Sequence, residues 1–123
     1  MPKAIKDIYT TVESLAPAAR TATANGTGVD LKNAIENMFV FPCGTRTDGT
    51  HTPKLQDSPD NSTFTDVTSD NQVGSLVALT SNTYQQVSYI GSARYVRCVS
   101  TVSGATTGAV YGAHAVLKYR SQN

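Results

Sequence analysis

Apolar and polar residues alternate with a period of two along much of this 123-residue chain, as in strands that turn one face to a core. The most apolar run is residues 38–45, MFVFPCGT. Its length and its Phe and Val content predict a buried strand with Phe39, Phe41 and Cys43 on one face. Pro42 has no N–H for a ladder, so it marks a bulge or an edge position. Two longer runs, residues 93–102 and 109–119, are rich in β-branched, aromatic and small residues. The turn formers between them, SGATTG, predict a β-hairpin at the centre of the fold. Val96, Cys98 and Val102 are expected to face the core from its first strand, and Tyr111, Ala113, Ala115 and Leu117 from its second.

Turn signals divide the rest of the chain: Asn25-Gly26, Asp48-Gly49, SPDNS at 58–62 and SNT at 81–83. Asp-Gly predicts a second hairpin, returning as a strand over 52–57 with Leu55 inward and Lys54 and Gln56 outward. Further strands are expected over 63–67, with Phe64 in the core, and over 73–79 and 84–90. Residues 32–37 read as a short polar connection. About eight strands at this spacing predict an all-β fold, an antiparallel β-sandwich of jelly-roll or immunoglobulin-like type. The expected organisation is an N-terminal arm, 1–20, and a sandwich domain, 21–123. Within the arm, Ile5, Ile8, Val12 and Leu15 recur at helical spacing, whereas IYTTV at 8–12 has strand propensity. A short helix, an added strand and an extended arm all remain open, with preference for an arm that orders against a partner or the edge of the sandwich.

Composition narrows function mainly by exclusion. Charged residues make up 15% of the chain and the net charge is +1, so nothing electrostatic favours nucleic acid or an anionic membrane as a general partner. No run approaches the roughly 20 apolar residues that span a bilayer. The first residues lack an apolar h-region, so a secretory signal is not expected, and the sequons at Asn25 and Asn61 read as coincidence. Cys43 and Cys98 form no CxxC motif and are expected to be buried, reduced thiols. No metal or cofactor is expected. Only His51 and His114 could join the cysteines, and the oxygen-rich set Asp57, Asp60, Asn61 and Asp66 has turn chemistry without EF-hand spacing. His51 beside Asp48 reads as a turn residue and His114 as an edge-strand residue, so no enzyme is expected.

The cations Arg94, Arg97, Lys118 and Arg120 concentrate near the last two strands. Arg and Tyr are enriched at interface hot spots. Tyr95, Arg97, Tyr119 and Arg120, with Ile8, Val12 and Leu15 of the arm, are therefore the candidate interface residues.

Two blocks carry a resemblance. One is TDGTHTPKLQDS at 47–58 followed by NSTFTDV at 61–67. The other comprises YIGS at 89–92, RYVR at 94–97 and VSGATTGAVYGA at 102–113. With APAARTATANGTGVDL at 16–31 they are similar to small structural proteins of tailed bacteriophages and prophages, and the similarity runs from about Ala16 to the end of the chain. It implies a non-enzymatic virion protein, made in the host bacterial cytoplasm, that decorates or cements the outside of the capsid. Its partner would be the major capsid protein, whose subunits it bridges, and its own state a homo-oligomer, a trimer. A tail or neck component is the alternative within the same resemblance. The rhythm of the middle block also resembles jelly-roll carbohydrate-binding and discoidin-like domains, which implies a glycan-binding module on the virion as a second alternative. The chain has no Trp, the usual sugar-stacking residue.

Overall fold

The computed structural model describes residue 2 and residues 4–120. Among these residues ten strands form two antiparallel sheets packed face to face, the expected β-sandwich. They are β1 (Thr10–Arg20), β2 (Ala24–Asn25), β3 (Val29–Asp30), β4 (Ala34–Arg46), β5 (Thr50–Ser58), β6 (Thr65–Asp66), β7 (Gln72–Val73), β8 (Thr83–Tyr89), β9 (Tyr95–Ser103) and β10 (Ala109–Tyr119). The first sheet has the order β1-β10-β4-β8-β7, and the second β2-β9-β5-β6, with β3 also on β9. The expected strand 73–79 contributes only Val73, and the expected polar connection at 32–37 already enters β4 at Ala34.

Neither expected hairpin forms. β9 belongs to the second sheet and β10 to the first, and β4 and β5 are divided in the same way. The tight links 47–49 and 104–108 are arches that carry the chain from one sheet to the other. They hold each other. The Asp48 carboxylate accepts the N–H groups of Thr106, Thr107 and Gly108 at 3.1, 3.1 and 2.7 Å, and Thr47 N–H donates to the Gly108 carbonyl at 2.9 Å. Gly49, Gly104 and Gly108 all take positive φ, which serves an arch as well as a hairpin. The strands cross because each finds a long partner elsewhere: β9 runs along β5, and β10 lies between β1 and β4.

The stretch expected as an arm is also part of the sandwich. Thr10–Arg20 is the edge strand of the first sheet, paired with β10 from Thr10–Leu117 to Arg20–Ala109. Its register slips between Glu13 and Leu15 and again between Leu15 and Ala18. Pro17, in the second irregularity, needs no ladder partner there. Ser14, in the first, is drawn inward: its hydroxyl donates to the Thr27 carbonyl at 2.8 Å and accepts Cys98 N–H at 2.9 Å. Thr27 N–H in turn reaches the Ser14 carbonyl at 2.7 Å. The bulge therefore stitches the edge of one sheet to the other and satisfies groups that a bare edge would leave open. Pro42 lies in an interior strand, where pairing toward β10 passes from Cys43–Tyr111 to Val40–His114 without it.

The core fills the space between the sheets. Phe39, Phe41, Ala115 and Leu117 enter it from the first sheet, and Leu55, Val96 and Cys98 from the second. Leu79 closes the open side, its N–H donating to the His51 carbonyl at 2.8 Å. Phe64 is half-buried outside this cluster. Both cysteines are free and buried, and burial pushes the Cys98 thiol up to about 12. His51, expected as a turn residue, is fully buried. Its Nε2 meets the Asp48 carbonyl at 3.0 Å and its Nδ1 the Tyr111 hydroxyl at 3.0 Å, which also meets Ser100 Oγ at 2.6 Å. A carbonyl can only accept, so Nε2 carries the proton; in the neutral ring Nδ1 then accepts from the Tyr111 hydroxyl, which in turn accepts from Ser100. This ties the start of β5 to β9 and β10 across the core.

Candidate interaction surface

The strands bring most of the exposed apolar side chains to two places. The first is the end of the sandwich where β4 starts and β10 and β8 finish. Because Thr10 pairs with Leu117, Tyr119 with Ala34, and Phe39 with Val87, residues 5–9, 34–36, 89–92 and 119–120 lie together there. Ile5, Ile8, Ile35, Ile90 and Tyr119 are all exposed at this end. Residues 5–9 form a turn, with Ile8 and Tyr9 N–H groups donating to the Ile5 carbonyl at 3.0 Å each. The turn leans across the outer face of the first sheet, where Tyr9 hydroxyl donates to Glu36 at 2.6 Å. Beneath it Ile5, Tyr9, Met38 and Val116 line a groove of about 430 Å³. The nearby carboxylate raises the Tyr9 hydroxyl above its ordinary value.

Of the sequence candidates, Ile8, Tyr95, Tyr119 and Arg120 share this end. Tyr95 begins β9, just after the β8–β9 link, and is half-buried beneath the Arg94 guanidinium at 5.0 Å. Arg120 is exposed and its N–H donates to the Asn33 carbonyl at 2.7 Å. The other three lie elsewhere. Leu15 is 3% exposed and belongs to the core, so it is corrected from interface to core: the bulge at Ser14 turns it inward. Val12 is half-buried and packs against the same core from opposite Ala115. Arg97 lies on the outer face of the second sheet, 4.1 Å over the Phe64 ring, with two N–H groups on Gln56 Oε1 at 2.9 and 2.7 Å. Two of its five N–H donors are thus used within the chain.

The second place is the outer face of the first sheet. β4 and β10 are apolar on both faces: Met38, Val40 and Pro42 alternate with Phe39, Phe41 and Cys43, and Val110 and Val116 with Tyr111, Ala115 and Leu117. Tyr84 stands beside Pro42 on β8. His114, on interior strand β10 rather than at an edge, lies on this face between Glu13 of β1 and Val40 of β4. The outer face of the second sheet is polar, with Lys54–Asp66 at 3.0 Å and the Arg97–Gln56 pair. Ile5, Ile35, Ile90 and Tyr84 were missed from the sequence as surface residues, yet apolar residues at both parities of β4 and β10 already signalled a second covered face.

The acidic residues serve loop and strand geometry. Asp60 accepts from Ser58 hydroxyl and from Ser62 and Thr63 N–H groups at 2.9, 2.9 and 3.0 Å, an Asx-type turn. Asp57 accepts from Tyr89 hydroxyl at 2.7 Å, and Asp66 faces Lys54 and Gln56. Among the described residues no three His, Cys, Asp or Glu side chains come together as a metal site would require. At the apolar end, Arg94 holds Asp30 through two bonds of 2.9 and 2.8 Å, which with Lys32 N–H lowers its carboxyl from 3.8 to about 2.

This pairing sets an acid limit. Asp30 is depressed in the folded chain, so its contribution is complete above the ordinary carboxylate pKa and disappears as pH falls through about 2. Asp48, Asp60 and Asp66 are shifted in the same direction by their hydrogen bonds. Thermal unfolding midpoints should be flat above about pH 5 and fall progressively below pH 4. Asp30→Asn should flatten part of that fall, modestly because the pair is half-exposed and screened. An acid limb of unchanged depth in Asp30→Asn would assign it to the other carboxylates.

No family model matches this chain, and no protein of curated description matches it either.

Proposed function

We propose that this chain is a non-enzymatic bacteriophage virion protein that decorates the outside of the capsid and cements it by bridging major capsid protein subunits. The observation that carries this reading is the apolar end of the sandwich, where Ile5, Ile8, Ile35, Ile90 and Tyr119 are exposed and the Arg94–Asp30 pair lies to one side. A rigid sandwich with an apolar tip and ion pairs at its rim has the composition of a protein contact, apolar at the centre and polar around it. The sequence resemblance supplies the capsid as the partner. Head expansion creates new subunit junctions and packaged DNA loads them, so each bridging contact adds binding energy where the shell is strained. Docking that finishes burying one half-exposed Ile contributes about 1 kcal/mol.

Co-sedimentation of the purified protein with expanded heads lacking it, with unexpanded procapsids as control, tests this. Saturable binding to expanded heads alone is expected. The pair Ile8→Asp and Ile35→Asp together should weaken it by at least about tenfold, the equivalent of about 1.4 kcal/mol. No binding to heads overturns the reading, and retention on isolated tails or necks would move the same surface to the tail. The glycan alternative rests on Tyr84, the most exposed ring among the described residues, at 78%.

A further inference from the structure

We propose that the part of the first sheet's outer face around Tyr84 packs against the same surface of a second copy of this chain, about a two-fold axis. Tyr84 is the most exposed of the large apolar side chains among the described residues. It forms one wall of a recess of about 440 Å³ whose other sides include Pro17, Pro42 and Val110, with Gly44 and Gly112 contributing no side chain. A protruding ring and a recess side by side on one patch form a self-complementary surface, the kind an isologous contact uses. A two-fold axis between them seats each Tyr84 in the recess of the other copy. The recess has the volume of clefts that take small ligands, about 300–1,000 Å³, ample for one phenol ring.

Shape and the uncharged lining favour a second copy as the occupant. Among the described residues no charged side chain lines the recess, so seating a ring in it strips water from no ion. Four strands about 4.8 Å apart, each presenting roughly eight residues at about 3.3 Å, make a face of about 500 Å². The contact around Tyr84 takes only part of that face, one end of which the 5–9 turn covers, so two copies bury less than about 1,000 Å², below the usual lower limit of a specific interface. The contact is therefore expected to be reversible and concentration-dependent. It replaces the trimer implied by the resemblance with a dimer, and it lies apart from the apolar end assigned to the capsid.

Sedimentation equilibrium of the full chain, from micromolar to millimolar loading, tests this. The expected mass rises to twice the 13.0 kDa of one chain. Tyr84→Ala and Val110→Lys, both at exposed positions, should each return it to one chain with an unchanged circular dichroism spectrum. Val77→Lys, at an exposed position outside the recess, should remain dimeric. A single-chain mass throughout, a trimer, or a dimer that survives both substitutions overturns the proposal. So does a monomer whose Tyr84 resonances shift on adding a soluble bacterial cell-wall oligosaccharide, which would make the recess a sugar site. The readout involves no capsid, so either reading can fail while the other stands.

Discussion

Gly108→Ala is expected to cost at least about 3 kcal/mol more than Gly104→Ala, although both sit in the same five-residue arch with positive φ. At Gly104, φ is +67 and an added Cβ meets nothing within 4 Å. Only the left-handed backbone penalty applies there, about 1–2 kcal/mol. At Gly108, φ is +84 and the Cβ would overlap the Arg20 carbonyl oxygen, a backbone atom held in β1 by its pairing with Ala109. Relief requires moving either that strand or the arch. Moving the arch breaks the Asp48 bond to Gly108 N–H and the Thr47 bond to its carbonyl. Urea unfolding of the two variants measures the difference directly. Equal losses would mean that the edge strand yields easily and that the arch is not the rigid corner described above.

Phe41→Ala should lose about 3–5 kcal/mol, a large part of the roughly 5–15 kcal/mol that holds a domain of this size. Phe41 is fully buried in β4, which is flanked by β10 and β8. Neighbours fixed by two ladders cannot collapse into the space, so a cavity term adds to the lost transfer energy. Tyr84→Ala is the matched control. It removes an aromatic ring from the paired strand, opposite Pro42, but from an exposed position, and should change monomer stability by no more than about 0.5 kcal/mol. If the two substitutions cost the same in dilute solution, the inward and outward faces of this sheet have been misassigned.

The candidate surface was only partly legible in the sequence. Tyr119 and Arg120 could be picked out because Tyr and Arg are common at interfaces and end an apolar strand. Leu15 and Val12 were read as arm residues because their helical spacing with Ile5 and Ile8 conflicted with the strand propensity of 8–12 and left the segment undecided. That period is accidental here, since two slips of register in β1 shift its parity between Glu13 and Ala18. Arg97 looked free because nothing local pairs with it. Its partners, Phe64 and Gln56, come from 33 and 41 residues away. Ile35 lies inside the run read as a polar connection and Ile90 at the end of an expected strand, and they become a surface only when β4 and β8 bring their ends together.

What the sequence determined by itself is the local alphabet of the fold. Period-two alternation in 38–45, 52–57 and 109–119 assigned strands and core faces, because the side-chain direction of a strand repeats every two residues whatever its partner. Tertiary structure alone decided which strands pair. Asp48-Gly49 and Gly104–Gly108 satisfy a tight reversal equally as hairpin or arch, and the choice depends on long partners far along the chain. β10 joins β1 and β4, β9 joins β5, and Asp48 locks the two crossings together. Those contacts span tens of residues, so their energy appears only once both sheets are assembled, and so do the apolar end and the Tyr84 recess that the assembly leaves uncovered.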